Sequence, residues 1–349
     1  IRDEELEKFT KELTAGLITN TNLSVEDINF YFINNKEINA FVTGGKNIFV
    51  NTGLITQADD YREYQAVIAH ELSHIIGGHI FNTSAEIQNL SDRALPVYLL
   101  GIIGIFAGSA DTAVTSIMLG QASIQDGFTY YSRNQEASAD QAAINLMCSN
   151  NIDASYLIGF LEKLDRKTLD NFSKENYYRS THPPIDSRKD WINISLKNKN
   201  CNYDKEQSLQ EKFDLVKSKL VAFTHSKQEV KAIYSGESNM DLYANAIISY
   251  LSGNHSESLE ILNKLINRDP NNPYFRELLG EIYFARADFE NAIKNQSIAL
   301  ELINEPSDLY FMMIGSYLIA LEDQVSKNDG IKNLKTVSYT HLRAHETNV

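Results

Sequence analysis

Residues 66–79 read AVIAHELSHIIGGH. Within them His70 and His74 stand four residues apart. On a helix that spacing puts both side chains on one face, one above the other. Each can then aim an imidazole nitrogen at the same ion. Glu71 follows the first histidine, so its carboxylate lies beside such an ion rather than on it. That placement suits a general base acting on a water at a metal. Val67, Ile68, Leu72, Ile75 and Ile76 give the run an apolar character. The competing reading is an ordinary amphipathic helix with two half-exposed histidines.

A catalytic zinc takes three protein ligands and keeps a fourth position open, so a third ligand is required. The pattern HExxHxxGxxH would need histidine at position 80, which is Ile80. His79 lies five residues beyond His74, about 140° around a continuing helix. It therefore reads as a helix-end residue and not a ligand. The better candidate lies in YSRNQEASADQAAINLM, residues 131–147. There Glu136 opens an amphipathic helix, and Asp140 falls one turn later on the same face. Glu136 can be the third ligand while Asp140 takes the second nitrogen of a ligand histidine, fixing its tautomer and raising its basicity. The alternative for this pair is a solvated helix start, where acids favour the helix dipole.

The elements that must position these groups follow from periodicity. DEELEKFTKELTAGL (3–17) is predicted as an amphipathic helix. INFYFIN (28–34), NAFVTG (39–44) and NIFVNTG (47–53) are predicted as short strands, with Gly44-Gly45 as a turn. From Asp60 the period becomes helical, and Gly77-Gly78 are its expected end. The apolar stretch 94–120 contains Pro96, internal glycines and Asp111. Its uninterrupted run is about half the ~20 residues needed to span a bilayer. It reads as a buried or membrane-touching hairpin, which can serve as a lid or plug over a cleft or rest on a membrane surface.

Residues 1–200 thus form a mixed α/β domain, and 201–237 a helical connector. From 238 the pattern AIISYLSGNHSESLEILNKLINRDPNNP recurs as LLGEIYFARADFENAIKNQSIALELINEP with an offset of 33. Each unit reads as two helices closed by a proline turn, at Pro270 and Pro306. This is similar to the tetratricopeptide repeat. A third unit opens at DLYFMMIGSYLIALE, so residues 238–336 read as an incomplete repeat array with a concave surface for a protein partner. Residues 337–349 resemble a translated sequencing-library adapter. They are set apart as an artefact, together with His341 and His345. His225 and His255 lie outside the motifs.

The 349 residues are 43% apolar and carry a formal net charge of −14. That charge argues against nucleic acid and anionic membrane surfaces as partners. Cys148 and Cys201 are too few for a disulfide scaffold and suggest no metal cage. They are either one disulfide in an oxidising compartment or two buried thiols. The chain begins at Ile1 without a signal peptide, as expected of a processed protein or a fragment.

Taken in order, NAFVTGGKNIFVNTGLI, VIAHELSHIIGGH, NQEASAD and STHPPIDSR resemble metallopeptidase family 48, the HtpX-like and CAAX-prenyl-endopeptidase-like gluzincins. The resemblance covers about residues 3–195. The repeats behind it resemble the BepA-like periplasmic branch. It implies an α+β zincin-like domain, with a small mixed sheet and active-site helices, followed by an all-α tetratricopeptide solenoid. It implies one zinc per chain, His70, His74 and Glu136 as ligands, and Glu71 as base. The strand bearing Asn39 would pair with an extended polypeptide substrate. Asn39 then contacts the substrate or a developing oxyanion, or is simply a buried strand-end asparagine. His182, held in its loop by Pro183 and Pro184, would stand near zinc. There it either stabilises the tetrahedral intermediate or fills the open zinc position in a latent enzyme; a surface loop histidine is the plain alternative. Arg188 would anchor that loop to a carboxylate. The expected activity is zinc-dependent endoproteolysis of envelope proteins, misfolded or misassembled outer-membrane proteins among them. The location implied is the Gram-negative periplasm, as a soluble or peripherally membrane-associated protein. The rival is a chaperone or assembly factor with a latent peptidase site.

Overall fold

The computed structural model describes residues 1–43, 46–79, 133–170, 182, 185–197, 199, 201, 203–303, 307–321 and 326–333. The expected turn at Gly44-Gly45, the apolar stretch 94–120, Pro183, Pro184, Pro306 and the tail 337–349 lie outside these residues. The chain divides into one unit of residues 1–2 and 9–210 and a second of residues 3–8 and 211–349.

In the first unit, helix α1 (Glu4–Ile18), whose first turn counts with the second unit, precedes a small mixed sheet. Strands β1 (Asn29–Ile33), β2 (Ala40–Thr43) and β3 (Asn47–Asn51) lie in the order β1-β3-β2. β3 is central, parallel to β1 and antiparallel to β2. The register sets Tyr31 and Phe41 on either side of Phe49. Their rings stack at 4.9 and 5.1 Å, an aromatic row across the sheet. Such cross-strand pairs are what stabilise a small sheet.

The third predicted strand ends early. Thr52 and Gly53 leave the ladder and open a short helix, α2 (Thr52–Gln57). The loop after β1 holds them: Thr52 Oγ1 donates to Asn35 O at 3.0 Å, and the Gly53 N–H donates to the same oxygen at 2.8 Å. A Cβ on Gly53 would stand 2.3 Å from the Lys36 carbonyl oxygen. Only glycine allows the two backbones to approach this closely.

Helix α3 (Tyr61–Ile76) follows, with Asp60 as its N-cap, accepting from the Arg62 N–H. It is buried from Tyr61 to His74, which marks it as a core helix. Helices α4 (Arg133–Ser149) and α5 (Tyr156–Asp170) pack against it. Helix α6 (Ile185–Lys197) packs on both of these. A disulfide joins Cys148, near the end of α4, to Cys201, deciding between the two cysteine readings.

In the second unit, helices α7 (Gln207–Thr224, from Glu211 on) and α8 (Lys227–Ile233) lead into two helical hairpins. These are α9 (Asn239–Leu251) with α10 (His255–Arg268), and α11 (Pro273–Ala285) with α12 (Phe289–Leu302). Helix α13 (Asp308–Ala320) packs on α12. Val221, Tyr243, Ile247, Leu262, Leu265, Phe275 and Ile282 lie in one core. The tight turns reverse at Gly253 and Ala287, both at positive φ. The hairpins thus recur at a spacing of 34, not the offset of 33 read from side-chain alignment. The turn fixes the register, and a one-residue slip in apolar matching is invisible between helices rich in apolar residues. No helix among the described residues is long and apolar enough to cross a membrane.

Candidate metal centre

The i, i+4 spacing on α3 brings His70 and His74 together as predicted. Their Nε2 atoms lie 3.0 Å apart and the rings meet edge to face. α4 supplies Glu136 from its first turn. Its Oε1 stands 3.4 Å from His74 Nε2 and its Oε2 3.6 Å from His70 Nε2. His182 completes the group, its Nδ1 2.8 Å from Glu136 Oε1. One potential ligand atom from each of His70, His74, Glu136 and His182 lies within 4.8 Å of every other, and all four residues are buried. His182 is thus no surface histidine; it is 0% exposed.

The back of this group is also built. Asp140, one turn beyond Glu136, places Oδ1 3.0 Å from His70 Nδ1. Arg188 on α6 donates from Nε to Asp140 Oδ2 at 2.9 Å and from Nη2 to Oδ1 at 2.8 Å. Its Nη1 lies 2.9 Å from Glu136 Oε2. The predicted anchor therefore grips two carboxylates, which leaves Glu136 Oε1 turned to the histidines.

Glu71 is 0% exposed, and neither carboxylate oxygen has a hydrogen-bond partner among the described residues. Its Oε1 stands 3.8 Å from His182 Nε2. Asn39 sits just before β2, which packs on α3. Its carbonyl accepts from the Asn51 N–H at 3.0 Å, while its buried side-chain amide has no hydrogen-bond partner among the described residues. Buried polar groups are normally satisfied. Orphaned carboxylate oxygens beside a convergent donor set, as at Glu71, mark a place where something else binds.

Electrostatics prepares the donors. Burial raises the Glu136 carboxyl, but His182 and Arg188 more than offset it, so it sits well below the ordinary carboxylate range. Asp140 is likewise lowered, Arg188 overcoming burial. Burial drives His74 down to about 3, against the pull of Glu136, and also lowers His182. Neutral imidazoles and an ionised carboxylate are the protonation states a metal requires of its ligands. Imidazole nitrogens with one carboxylate oxygen form a zinc-type donor set. Burial, with the charge of Glu136 added, pushes the Glu71 carboxyl well up, Arg188 opposing.

The model of peptidase family M48 matches residues 2–193. The chain belongs to peptidase family M48. This M48 peptidase is 24% identical over 337 residues to the beta-barrel assembly-enhancing protease of Yersinia pestis, across 91% of this chain and 66% of that protein. It is 23% identical over 343 residues to the protein of the same name from Escherichia coli (strain K12), across 94% and 68%. A shorter match, 25% over 177 residues, is to the mitochondrial metalloendopeptidase OMA1 of Bos taurus, across 47% of this chain and 32% of that protein. The chain thus spans about two thirds of the length of its assembly-enhancing relatives.

One neighbour of the centre escaped the sequence reading. His79 Nδ1 lies 3.0 Å from His74 Nδ1. The 140° separation assumed a helix continuing past Gly77. The helix stops at Ile76, and Gly78 takes φ +63°. The chain turns back and lays the His79 ring against His74. The Gly77-Gly78 pair was the available signal: it ends the helix and also redirects the next side chain.

Proposed function

We propose that this M48 peptidase is a zinc-dependent endopeptidase, with His70, His74 and Glu136 as ligands and Glu71 as general base. The observation that carries the reading is the buried convergence of four donor atoms beside a carboxylate whose oxygens have no hydrogen-bond partner among the described residues. Zinc, when bound, acidifies a water and polarises the scissile carbonyl. Glu71 takes the proton of the attacking water on a carboxylate oxygen and delivers it to the leaving amine. The amide of Asn39 and His182 Nε2 donate to the developing oxyanion. Arg188 keeps Glu136 ionised, and Asp140 holds the His70 proton on Nδ1, freeing Nε2. An extended polypeptide adds along edge strand β2, whose backbone fixes its register across the site.

The substrates are envelope polypeptides, misassembled outer-membrane proteins among them, in the Gram-negative periplasm. The relatives are named for enhancing beta-barrel assembly, which supports beta-barrel proteins as substrates. The Cys148–Cys201 disulfide supports the location, since such a bond persists in oxidising compartments. The hairpins of α9–α12 act as tetratricopeptide repeats that dock a protein partner or present the substrate.

One observation favours a second reading. His182 lies among the ligands and is fully buried, the arrangement of a closed site. In that reading the chain is an assembly factor whose peptidase is latent until His182 withdraws.

The test is metal content by elemental analysis together with cleavage of an unfolded polypeptide. Wild type should carry about one zinc per chain and cleave. Glu71→Gln should keep the zinc and lose cleavage by about 10²–10⁴-fold, and His74→Ala should lose both. A folded wild type without zinc, or undiminished cleavage in Glu71→Gln, sinks the protease reading. Zinc without cleavage, with cleavage appearing in His182→Ala, supports the latent form.

A further inference from the structure

We propose that His79 is a positioning residue for the metal centre: it accepts the Nδ1 proton of His74 and so holds the His74 Nε2 lone pair on the ion. The proposal rests on the reading of His74 as a zinc ligand.

A neutral imidazole has one proton. For Nε2 to face a metal, the proton must sit on Nδ1, and Nδ1–H needs an acceptor that also fixes the ring plane. His70 has Asp140 for this, at 3.0 Å. The corresponding atom of His74 has a different neighbour. It faces His79 Nδ1, also at 3.0 Å, with the ring centroids 5.1 Å apart and the planes inclined by 72°. With His74 Nε2 left bare for a metal, one assignment of protons serves the contact: His74 Nδ1–H donates, His79 Nδ1 accepts, and His79 carries its proton on Nε2. His79 is 7% exposed, so water competes little for that acceptor.

The backbone is shaped for this contact. Gly78 takes φ +63°, a conformation open to glycine at little cost. Gly77 supplies room: a Cβ there would stand 2.6 Å from His79 Nε2 and 2.9 Å from Cε1. The two glycines therefore have separate tasks, one turning the chain and one clearing a seat for the imidazole. The left-handed Gly78 also serves as an ordinary helix stop, whereas the room cleared at Gly77 is not needed for that. His79 approaches His74 from the side opposite the shared Nε2 face, so it backs the ligand and does not join the ligand set.

The experiment compares wild type with His79→Leu, His79→Asn and Gly77→Ala in the full chain. Asparagine keeps an acceptor where Nδ1 stood; leucine fills the space without one; Gly77→Ala keeps His79 but displaces its ring. Zinc affinity is read by competition with a chelating dye, ligand geometry by the visible spectrum of the cobalt-loaded protein, and folding by the melt of the metal-free protein. His79→Leu and Gly77→Ala should each weaken zinc about 10–100-fold and alter the cobalt spectrum. His79→Asn should stay within a few-fold of wild type. All three metal-free melts should stay close to wild type. Zinc affinity in His79→Leu equal to wild type overturns the proposal, as does His79→Asn binding as weakly as the leucine variant. Should His79→Leu fail to fold, the asparagine and Gly77→Ala arms decide on the same criteria. A wild type that binds no zinc, or His74→Ala binding as tightly as wild type, overturns the ligand reading itself. That result is distinct from tight zinc in wild type and every His79 variant, which removes only the role of His79.

Discussion

Each unit buries carboxylates around a basic residue, and the acids of the two clusters are shifted in opposite directions. In the first, the Arg188 fork spans both oxygens of Asp140 and reaches Glu136, and both acids are held below their ordinary range. In the second, Lys219 Nζ lies 2.7 Å from Asp3 and 3.4 Å from Glu5. There burial wins: Glu5 and Glu281 are each pushed up to about 7, and Glu277 is raised. A guanidinium offers five donors in a fixed plane, whereas an ammonium is a point charge with three. Burial alone therefore does not set the charge of a buried acid; the geometry of its partner does. A metal ligand must be ionised, and His182 and the arginine fork together provide for that at Glu136.

The largest break in this comparison should come from Arg188→Met. It strands two buried carboxylates and should cost about 3–5 kcal/mol in urea unfolding of the first unit. Arg188→Met combined with Asp140→Asn should recover part of that loss, because one stranded charge is gone. A loss under about 1 kcal/mol would mean that the fork is not what holds these acids ionised.

Reduction of the disulfide should come next. Cys148 and Cys201 both lie in the first unit, 53 residues apart, and tie down the helix that carries Glu136 and Asp140. Reductant should lower the stability of that unit by about 2–4 kcal/mol. The second unit contains neither cysteine, so its transition should not move. Scanning calorimetry with and without reductant checks this, and a shift of both transitions would show that the units do not melt separately.

These two clusters also show what could be read from the residues. The histidine pair and the acids one turn apart were legible because helical spacing is a local rule that survives folding; Arg188 beside a carboxylate came only with the resemblance. The convergence of His182 on Glu136 was expected through resemblance alone, since a loop histidine 46 residues away has no local signature. His79 stands past the helix end and outside the ligand group, as read, but its contact with His74 was not foreseen because it depends on the backbone turn at Gly78. The strand ending at Asn51 was overextended for a similar reason: Thr52 and Gly53 answer to the backbone near Lys36, a contact distant in sequence. Nothing in the sequence pattern foretold the acid cluster of the second unit. Asp3 and Glu5 sit more than 200 residues from Lys219, and only the fold brings them together.

Lys219→Met sharpens the contrast with Arg188. Glu5 titrates near 7 in the folded chain, so at pH 8 the lysine faces an ionised Glu5 and at pH 5 a neutral one. Its removal should cost the second unit more at pH 8, about 1–3 kcal/mol, than at pH 5. Arg188→Met should instead cost nearly the same at both, its acids being ionised throughout. Equal costs for Lys219→Met at the two pH values would erase the distinction between fork and point charge.

The smallest effect should be Glu281→Gln, and it has the opposite sign. Burial and the nearby Glu277 raise the folded carboxyl of Glu281 to about 7 from an ordinary 4.5. Between those values the folded state binds more proton than the unfolded state. Stability from this group is therefore fully present below about 4.5 and is lost as pH rises through 7. The melting temperature of the second unit should fall across that window in wild type. The amide cannot ionise, so the variant should melt higher at pH 8, by roughly 2–5 °C, and alike at pH 4.5. A variant that melts lower at pH 8 would mean that the charged carboxylate is welcome there. The second cluster would then be a satisfied ion network like the first, and the difference in partner geometry would cease to explain the difference in charge.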